Sequence, residues 1–294
     1  LGQYLIGTTD LRFDGDLDRV KADNEEIDYL IAETNKVFPA AQLTRKSVKF
    51  TYSGVRPLPY TESKKPGAVS RNHLLYDHGK EGVANMVSLI GGKLTTHRRV
   101  GEEMVDWIYE RRKERAPACQ TRVQPLPGAI LPTDVRIAEA TMQYAEWLSP
   151  STIVHLFQRY GARAFDVLRL VDESVDLAGR VVSDLPDIKA QVVYAVREEM
   201  AHTFGDICRR RTMLSLQANY GMDALDAIAD TLKKHCSWTD ADCHRAIRDY
   251  KTLMAENCIP DYAMAEVLGE SPLTAATSAS ESISSESTPQ LAVG

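Results

Sequence analysis

Asn85-Met86-Val87-Ser88-Leu89-Ile90-Gly91-Gly92-Lys93-Leu94-Thr95-Thr96 is the stretch from which the rest of the chain is read. Its first six residues form an apolar, strand-like run. Its last residues open onto a segment in which Val100, Met104 and Ile108 recur at helical spacing. The two glycines between them make a strand-to-helix turn. Glycine lets the backbone pass close to a flat or anionic group, and the helix that follows aims unpaired N–H groups and the positive end of its dipole at the same place. Lys93 adds a full positive charge. Tight turns of this kind also arise from packing alone, so the turn by itself leaves a ligand site and a purely structural turn both open.

Moving toward the N-terminus, Val48, Phe50 and Tyr52 alternate with Lys49, Thr51 and Ser53, the period of a half-buried strand. Gly54 and Pro57 then break the ladder on either side of Arg56. Arg56 thus sits on a backbone stiffened by Pro57 and left uncrowded by Gly54, which suits a planar fork aimed at a phosphate or carboxylate. A surface ion pair is the plainer alternative. Further up, Asn24 precedes Glu25 and Glu26 and then Ile27, Leu30, Ile31 and Val37, a capped helix stopped at Pro39. The polar stretch from Thr61 to Glu81 is expected to form a loop and hairpin. The opening residues Tyr4 to Asp10 read as the middle of a strand. A chain starting there, with Leu1, would leave a sheet edge open, so a truncated N-terminus is expected.

In the other direction, Arg111, Arg112, Lys113 and Arg115 place positive charge where a helix C-terminus favours it. Pro117, Pro125, Pro127, Gly128 and Pro132 then mark a linker. Beyond it the period is helical. Ser149 and Pro150 open a helix with Ile153, Leu156, Phe157 and Tyr160 on its face and Gly161 at its end. Amphipathic segments follow over 165–171, 188–200, 206–220, 222–232 and 240–254, and Thr203/Asp206 and Thr239/Asp242 resemble capping boxes. The predicted class is α+β. Residues 1–125 are a mixed α/β region of antiparallel sheet plus helices, 126–133 a linker and 134–262 an all-helical domain; 268–294 form a Ser/Thr/Ala-rich tail too poor in bulky residues to order itself.

The length of 294 residues allows about two domains. A net charge of -6 supplies no basic field for nucleic acid. Five unevenly spaced cysteines fit a reducing compartment better than a disulfide framework, so an intracellular, cytoplasmic protein is expected. No apolar run reaches the roughly 18 residues of a bilayer span, so any membrane contact must be peripheral; Arg209 to Arg211 could meet anionic lipid, but a solvated helix face is the plainer reading. The His235, Cys236, Cys243 and His244 spacing suits no common zinc module, and no metal site is expected.

Ile6-Gly7-Thr8-Thr9-Asp10, Tyr52 to Leu58, Ser70-Arg71-Asn72-His73 and Gly91 to Thr96 with Arg98 together resemble the FAD-dependent glycerol-3-phosphate dehydrogenases. The resemblance extends over residues 1 to 260, through Pro125-Leu126-Pro127-Gly128 and the helical region. It implies the C-terminal half of a flavoprotein that oxidises sn-glycerol 3-phosphate to dihydroxyacetone phosphate and passes electrons to quinone, peripherally on the inner face of the respiratory membrane. By the family's pattern Arg56 binds the substrate phosphate or a hydroxyl, Lys93 contacts the substrate beside the flavin, and Arg71 is a second cationic contact. Gly91, Gly92, Lys93, Leu94 and Thr95 carry FAD contacts, mainly through backbone.

Two departures stand out. His97 replaces the family's usual tyrosine, and the Gly-x-Gly-x-x-Gly fingerprint that cradles the FAD pyrophosphate is nowhere in the sequence. The general base is expected in the N-terminal half, and the isolated 294 residues are expected to be inactive. Without a Cys-x-x-Cys pair the chain resembles the single-subunit respiratory type. An oxidase using oxygen and a non-catalytic helical docking module are the competing readings; oligomeric state is left open.

Overall fold

The computed structural model describes residues 3–59 and 70–269. Helix α1 spans Asn24–Val37 and opens with a capping box in which Asp23 accepts from the Glu26 N–H while Glu26 accepts from the Asp23 N–H. The cap is therefore Asp23, one residue before the expected Asn24. Only Ile27 of this helix is buried.

Strands β1 (Leu74–Asp77) and β2 (Val87–Ile90) pair antiparallel, Leu74 opposite Ile90 and Asp77 opposite Val87. They are the whole sheet among the described residues. β2 starts two residues later than the apolar run, because Asn85 takes a left-handed φ of 62° in the preceding turn. The strands expected at Tyr4–Asp10 and Val48–Ser53 do not form; both are irregular chain. Alternation tells which side of a segment could be buried, but a strand also needs a neighbour to take its N–H and C=O groups, and neither segment has one among the described residues. Phe50 instead lies against Tyr220 with ring centroids 5.8 Å apart. Tyr52, on the face expected to be covered, is exposed.

After β2 a 3-10 turn, Leu94–Thr96, leads into α2 (His97–Arg111). No residue of α2 is fully buried, and Ile108 of the expected inward face is exposed. Its C-terminal Arg111 is not simply a charge at a helix end: it pairs with Asp77 of β1 at 2.5 Å and lies 4.8 Å over the Trp107 ring.

The remaining helices are α3 (Val135–Gln143), α4 (Pro150–Tyr160), α5 (Ala164–Glu173), α6 (Lys189–Glu198), α7 (Leu225–Cys236), α8 (Asp240–Asn257) and the short α9 (Met264–Leu268). Apart from Ile27 of α1, the buried core lies between Ala140 and Ile259, shared by these helices and the turns that join them. One cluster gathers Ile153, Leu156, Val167, Leu168, Val171 and Val193; the other gathers Val192, Phe204, Ile207, Ile228, Leu232 and Met254, so α6 serves both through adjacent valines. Ser149 caps α4 with Pro150 in its first turn, and Gly161 ends it at φ 57°. The helix expected over 206–220 is broken. Thr203 and Asp206 cap each other, but the segment then runs as a π-helical turn, Asp206–Arg211, and stops. The N–H and hydroxyl of Thr212 both donate to the Ile207 carbonyl, at 2.8 and 2.7 Å, which closes the turn one residue wide of α-helical register.

The segment preceding Arg56 rests on this helical half. Thr51 Oγ1 donates to the Cys258 carbonyl at 2.7 Å, and Lys21 Nζ donates to the Ala255 carbonyl at 3.0 Å and meets Asp261 at 2.7 Å. Among the described residues no helix is long and apolar enough to cross a membrane. The expected disordered tail lies, from residue 270 on, outside the described residues, as does the 61–69 part of the expected loop.

Candidate functional site

Gly91 and Gly92 take φ values of 71° and 93°, conformations that favour glycine. A Cβ on Gly91 would lie 3.0 Å from the Asn72 carbonyl and 3.6 Å from that of Pro57; one on Gly92 would lie 3.1 Å from His73 Cβ. The glycines are thus demanded by protein packing against the turn. What packs there is the two segments that carry Arg56 and Arg71. Gly54 has no such duty, since a Cβ there meets nothing within 4 Å.

Beyond the glycines, Lys93, Leu94 and Thr95 are exposed, and their N–H groups have no acceptor among the described residues. These are first-turn donors of a helix, which its own backbone does not satisfy. Thr96 closes the turn by donating from N–H and hydroxyl to the Lys93 carbonyl, at 3.0 and 2.8 Å. His97 Nδ1 lies 2.9 Å from the Leu94 carbonyl, so the ring folds back over the turn.

The structure brings Arg56 and Arg71 together on one group that sequence reasoning gave no role. Asp10 meets Arg56 Nε at 3.3 Å with one oxygen and Arg71 at 2.8 Å with the other. All three side chains are partly exposed. The only sequence signal for Asp10 was its place in the Thr8-Thr9-Asp10 motif. The adjacent Thr9 hydroxyl donates to Glu26 at 2.5 Å, tying this segment to α1. Lys93 joins no ion pair among the described residues.

Behind the turn, His73 Nε2 lies 2.5 Å from Glu103 of α2, which also takes Arg99 at 2.6 Å. Hydrogen bonds from His73 first and Arg99 second hold the Glu103 carboxyl below its usual range. The pair ties the Arg71 loop to α2. The result is an exposed edge built from two guanidiniums, a lysine and a row of N–H groups without an acceptor among the described residues, suited to anion binding. No set of three metal-ligating side chains converges anywhere among the described residues.

Residues 119–243 match the family described as the C-terminal domain of alpha-glycerophosphate oxidase, and the chain belongs to the FAD-dependent glycerol-3-phosphate dehydrogenase family. It is 58% identical to a glycerol-3-phosphate dehydrogenase of Synechocystis over 90% of this chain and 48% of that protein. It is 36% identical to a D-erythritol 1-phosphate dehydrogenase of Brucella abortus over 71% of this chain and 41% of that one. The crystal structure of the glycerol-3-phosphate dehydrogenase from Bacillus halodurans complexed with FAD shares the fold with a TM-score of 0.63 at 22% identity, covering 85% of this chain and 48% of that one. The chain spans about half the length of the curated relatives it matches.

Proposed function

We propose that this chain is the substrate-side and helical part of an enzyme that oxidises sn-glycerol 3-phosphate to dihydroxyacetone phosphate and delivers the electrons to quinone. The observation that carries the reading is the convergence of Arg56 and Arg71 on Asp10 beside the Gly91–Gly92 turn. In this reading residues 1–125 complete a flavin and substrate domain, joined through 126–133 to the helical domain 134–262, and the protein sits peripherally on a membrane.

FAD fits the turn, where the exposed residues Lys93, Leu94 and Thr95 lead into a helix N-terminus, and when bound it would supply the acceptor for the hydride leaving substrate C2. Arg56 and Arg71 hold the phosphate, each through a planar fork. Lys93 contacts the substrate. The N–H groups of Lys93, Leu94 and Thr95, with the dipole of α2 behind them, favour negative charge at this edge. The base that takes the hydroxyl proton, and the loop that cradles the pyrophosphate, we assign to the length of the relatives that this chain does not span; the 294 residues alone are then inactive, and tight FAD binding by them would overturn that assignment.

The test is Arg56→Ala in the flavin-loaded enzyme that contains this chain. Loss of charge-assisted hydrogen bonds worth about 1.5–3 kcal/mol raises KM for glycerol 3-phosphate roughly 10- to 100-fold; an unchanged KM removes the phosphate role. Peroxide formation at the rate of turnover would replace quinone by oxygen as acceptor.

A further inference from the structure

We infer that Asp10 is a positioning residue that sets Arg56 and Arg71 side by side as one phosphate clamp. This deepens the function proposed above and rests on it. Three segments far apart in sequence meet at a single carboxylate. Asp10 approaches Arg56 at Nε and accepts a hydrogen bond from one terminal nitrogen of Arg71. Among the described residues the remaining guanidinium nitrogens of both arginines make no hydrogen bond to Asp10, which leaves donors on each fork for a ligand.

Charge points the same way. Two arginines alone repel each other; Asp10 between them offsets one charge, and Lys93 restores it, leaving a net +2. A phosphate monoester carries about -1.5 to -2 near neutral pH, so the clamp as assembled matches its ligand. Asp10 is itself held. Its neighbour Thr9 is hydrogen-bonded to Glu26, which completes the capping box of α1, so the carboxylate stands on backbone anchored to a helix end.

The experiment uses the flavin-loaded enzyme that contains this chain, with the variants Asp10→Asn, Asp10→Ser, Asp10→Glu, Arg56→Ala and the double variant Asp10→Asn/Arg56→Ala. Asp10→Asn and Asp10→Ser are expected to raise KM for glycerol 3-phosphate about tenfold. The competitive inhibition constant of inorganic phosphate rises in parallel, while kcat stays within about twofold and Asp10→Glu recovers part of the loss. In the double variant the Asp10 change costs less than it does alone, because the part of its effect that passes through Arg56 is already lost and only the part through Arg71 remains. Unchanged or lowered KM in both Asp10→Asn and Asp10→Ser, with a raised KM in Arg56→Ala, overturns the inference and leaves the phosphate reading standing; so does full additivity in the double variant. An unchanged KM in Arg56→Ala overturns the phosphate reading itself, and this inference with it.

Discussion

Gly91→Ala disturbs the site without touching a charge. The new Cβ would stand 3.0 Å from the Asn72 carbonyl, 3.4 Å from Pro59 Cδ and 3.6 Å from the Pro57 carbonyl, on a residue whose φ is 71°. Left-handed backbone costs alanine about 1–2 kcal/mol. The closest contact is with backbone and can be relieved only by moving the loop, which brings the local cost to about 2–3 kcal/mol. Amide hydrogen exchange reads this directly: protection across the β1–β2 ladder should fall roughly 30- to 150-fold in the 294-residue chain. Gly54→Ala, which adds a Cβ in open space, leaves that protection as it was. Because Asn72 adjoins Arg71 and Pro57 adjoins Arg56, the same displacement spreads the two guanidiniums. Unchanged exchange across β1 and β2 in Gly91→Ala would refute the packing described for the turn.

Two further outcomes concern the frame around the site. Thr51→Val leaves the carbonyl of the fully buried Cys258 without its hydroxyl partner, a loss of about 1–2 kcal/mol; the midpoint of urea unfolding should drop, and an unmoved midpoint would show the anchor to be idle. Asp134, at the start of α3, has its carboxyl lowered from 3.8 to about 2 by the Arg136 side chain and N–H. A carboxyl depressed in the folded state adds stability that is complete above about pH 4 and fades as pH falls toward 2. The Tm advantage of the native protein over Asp134→Asn should therefore shrink across that window, and a constant gap down to pH 2 would contradict the assignment.

What was legible in the sequence was what local chemistry decides. Ser149, Pro150 and Gly161 delimit α4 as expected, because caps act within a turn or two of their own position. The order strand, Gly-Gly turn, helix around residue 91 was legible for the same reason. Segments 4–10 and 48–53 were misread because a strand is a property of two segments, and period-two alternation reports only one. Thr212 halts the 206–211 turn through bonds to a carbonyl five residues back, a choice no amphipathic pattern announces. At the site, Arg56, Arg71 and the glycines stood out by residue type and spacing. That one aspartate from residue 10 joins the arginines, and that Asn72 and Pro57 are what the glycines admit, are facts of tertiary contact.

The contacts of Phe50 with Tyr220, Thr51 with Cys258 and Lys21 with Ala255 make the two halves of the chain poor candidates for modular exchange. The helical half serves as a jig for the segment bearing Arg56. Grafting a relative's helices onto residues 1–125 would have to preserve the Tyr220 ring and two main-chain carbonyls near the end of α8, none of which belongs to the anion site. Cutting at the proline-rich stretch would release an arginine whose motif is intact and whose aim is lost, so drift in the distant helices can move Arg56 while its own motif stays the same.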